Sequence, residues 1–336
     1  MTARCSRCSR PRKELEVHCT YCGGPFTRVA DRPFSRNIRD NFPYIRNLYT
    51  LGEGNTPFLE SGGISYKLDF LNPTGSYKDR GSATLLSFLR ENGVSRISED
   101  SSGNAGASIA AYGALLGMEV SVFVPDTVKG AKLRQIESYG ARVTRVQGTR
   151  SDVSRAAESS RLYFASHVWQ PEFRDGIRTL AYEISRDLGW KAPDNVFLPT
   201  SAGTLLLGVY SGFHHMLESG EIERMPRLVA VQSEQVSPVY SALKGVRYEA
   251  PAKITSRADA LVSTNPVFLP EMVAVLSECG DALTVSEDEI VSAHTELARK
   301  GLLVEYSSAT AYAAALRYPE RGRDVVVLTG SGLKTL

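Results

Sequence analysis

From position 64 to position 328, short apolar runs alternate with longer segments of helical periodicity. That alternation restricts the chain to a parallel α/β architecture, because parallel neighbours need a crossover long enough to hold a helix. Strand-like runs fall at 64–70, near 97, and at 119–124, 141–146, 162–165, 195–198, 228–232, 281–285 and 324–328. Helix-like runs fall at 82–91, from the 100–108 stretch through 116, at 129–139, 151–160 and 176–188, from the 200–204 turn through 217, and at 287–300 and 307–317. Right-handed crossovers between them are expected. Residues 233–275 carry no clear period. With 336 residues the chain is long enough for two domains and a small extra piece. The expected division is 1–30, then 31–81 together with 171–336, then 82–170 as a smaller αβ domain.

Four of the five cysteines lie in the first 22 residues, as Cys5-x2-Cys8-x10-Cys19-x2-Cys22. Two such knuckles offer four thiolates, the ligand set of a closed tetrahedral zinc site. A closed site has a structural role. The segment is too short to hold a core of its own, so a structural Zn is expected on Cys5, Cys8, Cys19 and Cys22.

The bulk numbers exclude several function classes. A net charge of +2 gives no long-range field suited to nucleic acid or to an anionic membrane. No apolar run approaches the roughly 20 residues that span a bilayer. The segment Met1-Thr2-Ala3-Arg4-Cys5 shows no apolar signal region, so a cytoplasmic location is expected.

The stretch Leu71-Asn72-Pro73-Thr74-Gly75-Ser76-Tyr77-Lys78-Asp79-Arg80-Gly81 joins a strand-like run to a helix-like one. Pro73 and Gly75 mark a tight turn, which delivers Lys78 to a helix start at the end of a strand. In open α/β sheets that edge is where ligands bind. A lysine sheltered there can attack a carbonyl. Two further turns accompany it. Ser101-Ser102-Gly103-Asn104-Ala105-Gly106 offers hydroxyls, an amide and backbone N–H groups at a helix start, which suits a carboxylate. Thr200-Ser201-Ala202-Gly203-Thr204 repeats the design and lets backbone donors approach a phosphate. Neither matches a Walker A or a dinucleotide-binding fingerprint. One lysine, one phosphate cradle and one carboxylate cradle describe a pyridoxal phosphate (PLP) site.

Asn72 to Gly81 resembles the lysine motif of the threonine synthase family, within the tryptophan-synthase-β-like (fold type II) PLP enzymes. The likeness covers nearly the whole chain in order. Gly52-Glu53-Gly54-Asn55-Thr56-Pro57 resembles the family's early loop, and Ser101 to Gly106 its asparagine loop. Glu305-Tyr306-Ser307-Ser308-Ala309 resembles a late segment, and Thr329-Gly330-Ser331-Gly332-Leu333-Lys334 the C-terminal signature. The cysteine ribbon is similar to one found in some members.

The resemblance implies two three-layer αβα domains with the cofactor in the cleft between them, plus the zinc ribbon. It implies that Lys78 bonds covalently to PLP and acts as general base, and that Asn104 contacts the ring 3′-oxygen. Ser201, Ala202, Gly203 and Thr204 would hold the cofactor phosphate. Thr329 would face the ring nitrogen, where a neutral hydroxyl favours elimination and replacement over transamination. Ser101, Ser102 and Ala105 would seat the substrate carboxylate. The implied reaction converts O-phospho-L-homoserine and water to L-threonine and phosphate, in a homodimer.

One loop departs from the family. Its substrate-phosphate segment usually reads Asn-Ser-x-Asn-Pro-x-Arg. Here the chain has His167-Val168-Trp169-Gln170-Pro171-Glu172-Phe173-Arg174-Asp175-Gly176. The arginine is displaced by one residue, and Arg174 or His167 is left to pair with the phosphate. That departure keeps a second reading open: a threonine or serine dehydratase-like lyase, or a β-replacement enzyme resembling cysteate synthase.

Overall fold

The computed structural model describes residues 3–336; positions 1 and 2 of the expected ribbon lie outside the described residues. In chain order, β1 (Ala3–Cys5) pairs antiparallel with β2 (Phe26–Arg28). β3 (Phe58–Ser61) and β4 (Ile64–Lys67) form a hairpin closed by Gly62 and Gly63, at φ +63° and +76°. This two-glycine turn is a hairpin signal that the apolar pattern alone leaves unread. Then follow α1 (Lys78–Glu91), β5 (Arg96–Glu99), α2 (Asn104–Leu115), β6 (Glu119–Pro125), α3 (Ala131–Ser138) and β7 (Arg142–Val146). α4 (Arg150–Glu158), β8 (Tyr163–Phe164), α5 (Pro171–Asp187), β9 (Asn195–Pro199), α6 (Thr204–Glu218) and β10 (Arg227–Ser233) continue the alternation. The uncertain stretch holds α7 (Pro238–Lys244) and the first part of α8 (Leu269–Cys279), each begun by an early proline. β11 (Gly280–Val285), α9 (Glu287–Arg299), α10 (Tyr306–Arg317) and β12 (Asp324–Val327) complete the chain.

Contacts divide the chain into two compact units. One holds the first 54 residues, Asn72–Ile177 and Lys334–Leu336; the other holds Asn55–Leu71 and Arg178–Leu333. The positions expected to bound the smaller domain, 82 and 170, fall inside the first unit. There the ribbon, the segment to residue 54 and the lysine turn pack with the four-stranded sheet.

In the first unit that sheet is all parallel, in the order β7-β6-β5-β8. α1 packs on α2, and the first turn of α5 lies directly against α1. At Gly176 an added Cβ would sit 2.2 Å from the Arg80 carbonyl oxygen, so the close approach requires glycine. In the second unit the order is β11-β10-β9-β12-β4-β3, parallel except for the β3–β4 hairpin. β4, β9 and β12 are buried along their whole length, as parallel strands covered on both faces must be. The one charge in β4 is Lys67. It is fully buried and answered by Glu183 at 3.0 Å, Asp187 at 2.8 Å and the Thr56 carbonyl at 2.7 Å.

The ribbon has a minute core of Ala3, Cys5, Cys19 and Phe26. It is held to α5 by a buried charge cluster rather than by apolar area. Glu172 is fully buried; Arg12 reaches its oxygens at 2.8 and 3.0 Å, and Arg28 reaches Oε1 at 2.6 Å. Burial pushes the Glu172 carboxyl up, and the two guanidinium groups outweigh that and hold it below its ordinary range. Arg12 also donates to Gln170 Oε1 at 2.9 Å. Arg28 stacks over Tyr44 at 3.8 Å, and the Tyr44 hydroxyl donates to Asp175 at 2.5 Å.

Replacing Glu172 by Ala strands two buried cations, so Glu172→Ala lowers stability by about 3–5 kcal/mol in a denaturant titration. A loss under ~1 kcal/mol means that the ribbon is anchored some other way.

Candidate active site

In the first unit, Lys78 is the first residue of α1 and is half-buried. No side chain caps this helix start. Lys78 Nζ donates to Tyr77 Oη at 2.7 Å and lies 5.9 Å from the centre of the Phe173 ring. The turn before it is locked from within. Gly75 has φ +81°, and its N–H donates to the Asn72 carbonyl at 2.8 Å. Asn72 Oδ1 accepts from Gly54 N–H at 2.9 Å, which ties the early loop to the lysine turn. Asp79 is fully buried and accepts from Thr74 N–H at 2.7 Å, Thr74 Oγ1 at 2.6 Å and Ser108 Oγ at 2.6 Å. Burial pushes its carboxyl up, and these hydrogen bonds oppose the shift. Lys334 Nζ donates to the Thr74 carbonyl at 2.8 Å, closing the same turn from the C-terminal end.

Ser101, Ser102, Asn104 and Ala105 sit where β5 gives way to α2, beside Lys78's own helix. The α2 start has no side-chain cap, and Gly103 N–H turns to Ser101 Oγ at 3.3 Å. A Cβ at Gly106 would lie 1.9 Å from the Ser101 carbonyl, so only glycine allows so tight a turn. In the second unit, Ser201, Ala202, Gly203 and Thr204 join β9 to α6. Gly203 has φ +100°, and a Cβ there would meet Met272 Sδ at 2.8 Å. Thr329 follows β12 and is fixed by Ser308, whose Oγ lies 2.8 Å from Thr329 Oγ1 and accepts from Thr329 and Gly330 N–H at 3.1 and 2.9 Å. By contrast, α4 and α9 close their starts with capping boxes, Thr149 with Asp152 and Ser286 with Glu289. Each unit by itself supplies groups of a kind that PLP needs: the first a primary amine at an uncapped helix start, the second an uncapped start with a positive-φ glycine turn and a positioned neutral hydroxyl.

Arg174 is the residue expected to pair with the substrate phosphate. It is buried; Nη1 donates to the Val168 carbonyl at 2.9 Å, and Nη2 donates to the Phe26 carbonyl. It shapes the 167–174 loop and joins it to the ribbon. His167 lies instead against Glu99, with Nδ1 2.6 Å from Oε1 and its own N–H donating to Oε2 at 3.1 Å. The strand-like run near 97 gives Glu99 no role, and the carboxylate emerges only from the structure, as the last residue of a strand whose final three residues are buried. Asp79, inside the lysine turn, and Ser108, inside a helix pattern, were likewise given no role by the sequence.

The four cysteine sulfurs come together. Cys5 and Cys22 lie 3.4 Å apart, Cys8 and Cys22 3.4 Å, and Cys8 and Cys19 3.7 Å. Four sulfurs about 2.3 Å from a tetrahedral zinc are about 3.8 Å from one another, so the set fits that ion. Burial pushes the Cys19 thiol up, but N–H donors from Cys22 and Tyr21 bring it down to about 6, toward the thiolate that a metal binds.

The profile of the pyridoxal-phosphate dependent enzymes matches residues 49–331, and the chain belongs to that family. Fold, lysine turn and family together make it a PLP-dependent enzyme of fold type II. Among relatives, it is 30% identical to the threonine synthase of Methanocaldococcus jannaschii, over 99% of this chain and 93% of that one. It is 32% identical to the threonine synthase of Synechocystis sp., over 88% of this chain and 80% of that one. Among solved structures, the processed form of threonine deaminase isoform 2 from Solanum lycopersicum superposes with a TM-score of 0.71 at 19% identity, over 95% of this chain and 92% of that one.

The Glu99–His167 pair sets a pH signature. Burial raises Glu99 from 4.5 to about 7 and lowers His167 from 6.5 to about 3. The raised acid alone stabilises the fold below pH 4.5 and loses that contribution as pH rises to about 7. The depressed histidine alone stabilises it above pH 6.5 and loses that contribution as pH falls toward 3. Between pH 4.5 and 6.5 the unfolded pair holds one proton, on histidine, and the folded pair holds one, on the carboxyl, so the two effects cancel. Glu99→Gln removes the cancellation. The variant then loses about 2 kcal/mol relative to the native chain between about pH 6.5 and 5 in denaturant titrations. Parallel pH curves contradict the assignment.

Proposed function

We propose that this enzyme is a threonine synthase, converting O-phospho-L-homoserine and water to L-threonine and phosphate by γ-elimination and β-addition. The observation that carries this reading is the 30% identity spanning 99% of the chain and 93% of a threonine synthase, lysine turn included. When bound, PLP supplies an electron sink for the carbanion at the substrate Cα. The rest falls to the chain's own residues. Lys78 holds the cofactor and, once free, moves the proton at Cα as general base. Asn104 contacts the ring oxygen, and Ser201, Ala202, Gly203 and Thr204 hold the phosphate by backbone N–H and hydroxyl donors. Thr329, set by Ser308, meets the ring nitrogen without a charge. Ser101, Ser102 and Ala105 bind the substrate carboxylate at the α2 start, where the helix dipole favours an anion.

A second reading rests on one observation: Arg174 directs Nη1 and Nη2 to the backbone carbonyls of Val168 and Phe26. With that arginine committed, a dehydratase-like lyase or a cysteate synthase-like β-replacement enzyme is the competing activity. Zinc on Cys5, Cys8, Cys19 and Cys22 belongs to the proposal, as do a homodimer and a cytoplasmic location. Among the described residues no helix is long and apolar enough to cross a membrane.

Two assays test the substrate. Phosphate release from O-phospho-L-homoserine is expected, with ammonia release from L-threonine slower by orders of magnitude. Faster ammonia release reverses the assignment. For the ribbon, native mass spectrometry should find one zinc per chain. Cys5→Ser should lower the melting temperature yet leave the cofactor's visible absorbance in place; loss of that absorbance contradicts a purely structural metal.

A further inference from the structure

α2 carries a polar stripe through the interior of the first unit, and the reaction above uses only its first member. Asn104, Ser108 and Tyr112 are spaced four apart, so they share one face of the helix. Ser108 and Tyr112 are fully buried, and each is joined to a different motif loop. Tyr112 Oη donates to Glu53 Oε2 at 2.5 Å, and that oxygen also accepts from Thr50 Oγ1 at 2.8 Å and Leu51 N–H at 3.1 Å. Ser108 Oγ donates to Asp79 Oδ1 at 2.6 Å and lies 2.6 Å from Ser82 Oγ, one turn past Lys78 on α1.

The Ser108 link bears on the lysine. Asp79 follows Lys78 directly and is fully buried. Its Oδ1 is shared between Ser108 Oγ and Thr74 Oγ1, both at 2.6 Å, and its Oδ2 takes Thr74 N–H at 2.7 Å. One carboxylate therefore spans the turn before Lys78 and the neighbouring helix. A hydroxyl has one proton to give: that of Ser108 goes to Asp79, and Ser82 supplies the proton that Ser108 accepts. Short hydrogen bonds from O–H to an ionised carboxylate are the strong ones, and a buried carboxylate stripped of a donor must shift or find another. The clamp lies one helical turn, about 6 Å, along α2 from Asn104.

We propose that Ser108 is a positioning residue of the reaction: by donating to Asp79, it fixes the Lys78 amine relative to the α2 start that seats the substrate carboxylate. It acts through Asp79 rather than on the substrate. The inference rests on the proposed reaction for the use of that seat.

The experiment uses the holoenzyme and compares Ser108→Ala with the native chain. Its readouts are kcat and KM for phosphate release from O-phospho-L-homoserine, the visible circular dichroism of the bound cofactor, and the melting temperature. A reacting group misplaced by ~1 Å slows a reaction by up to ~100-fold, so kcat should fall about tenfold to a hundredfold. KM should stay within about threefold, because the α2 start is untouched. The circular dichroism per unit of cofactor absorbance should change, since the amine that holds the ring has moved. Ser108→Thr, which restores the hydroxyl, should recover most of kcat and the native circular dichroism. Support of the fold alone gives a different result: a lower melting temperature, with native kcat and native circular dichroism in the folded enzyme. That result overturns the proposal, as does a loss confined to KM. In an Asp79→Ala background, Ser108→Ala should cost nothing further; a full second loss overturns the route through Asp79. If the native chain does not turn over O-phospho-L-homoserine, the reaction assignment fails, and the circular dichroism still decides the positioning role. Should Ser108→Ala not fold, Ser108→Cys, close in shape and a weak donor, is expected to change kcat and circular dichroism in the same sense.

Discussion

The direction of the strands is the constraint from which the rest follows. In each unit parallel strands end at a common edge, and most are followed by a turn into a helix whose first N–H groups have no partner in the helix itself. Each sheet therefore brings several helix starts to its own carboxyl edge. α4 and α9 cap those donors with their own side chains. α1, α2 and α6 start without a side-chain cap, as do α3, α7, α8 and α10, and the first three begin at Lys78, Asn104 and Thr204. The chemistry proposed here uses those helix starts, where backbone N–H groups and the dipole favour an anion.

A second constraint is electrostatic. Glu172 brings a carboxylate into the interior, and Arg12 and Arg28 arrive from the ribbon and its last strand to meet it. Neither side is tolerable without the other. The ribbon is thereby fastened to the loop that carries His167: Arg12 to Gln170, Arg174 to Phe26, and Tyr163 to the Leu15 carbonyl at 3.0 Å. A four-cysteine segment that looks peripheral in sequence is an integral support of the 167–174 loop.

Much of this was legible in the sequence, because periodicity reports burial and turns report backbone. Nine of the strands announce themselves as apolar runs, and Pro73, Gly75, Gly106 and Gly203 mark turns where the backbone needs glycine or proline. The β3 strand was not legible, since Phe58–Ser61 is a largely exposed edge with no apolar run. α7 and α8 hid in a stretch rich in proline and polar residues. Long-range charge pairs were invisible too. Glu172 pairs with Arg12 across 160 positions, and Glu99 meets His167 across 68; no local pattern encodes either. Arg174 shows the converse. Its position suggested a phosphate partner, while its guanidinium completes the backbone hydrogen bonding of a buried loop.

The central claim is that one amine, that of Lys78, carries the coenzyme. Borohydride reduction of the holoenzyme followed by proteolysis and peptide mapping tests it most directly. The account predicts a single phosphopyridoxyl-lysine peptide, containing residue 78. An adduct on any other lysine, or none at all, contradicts it.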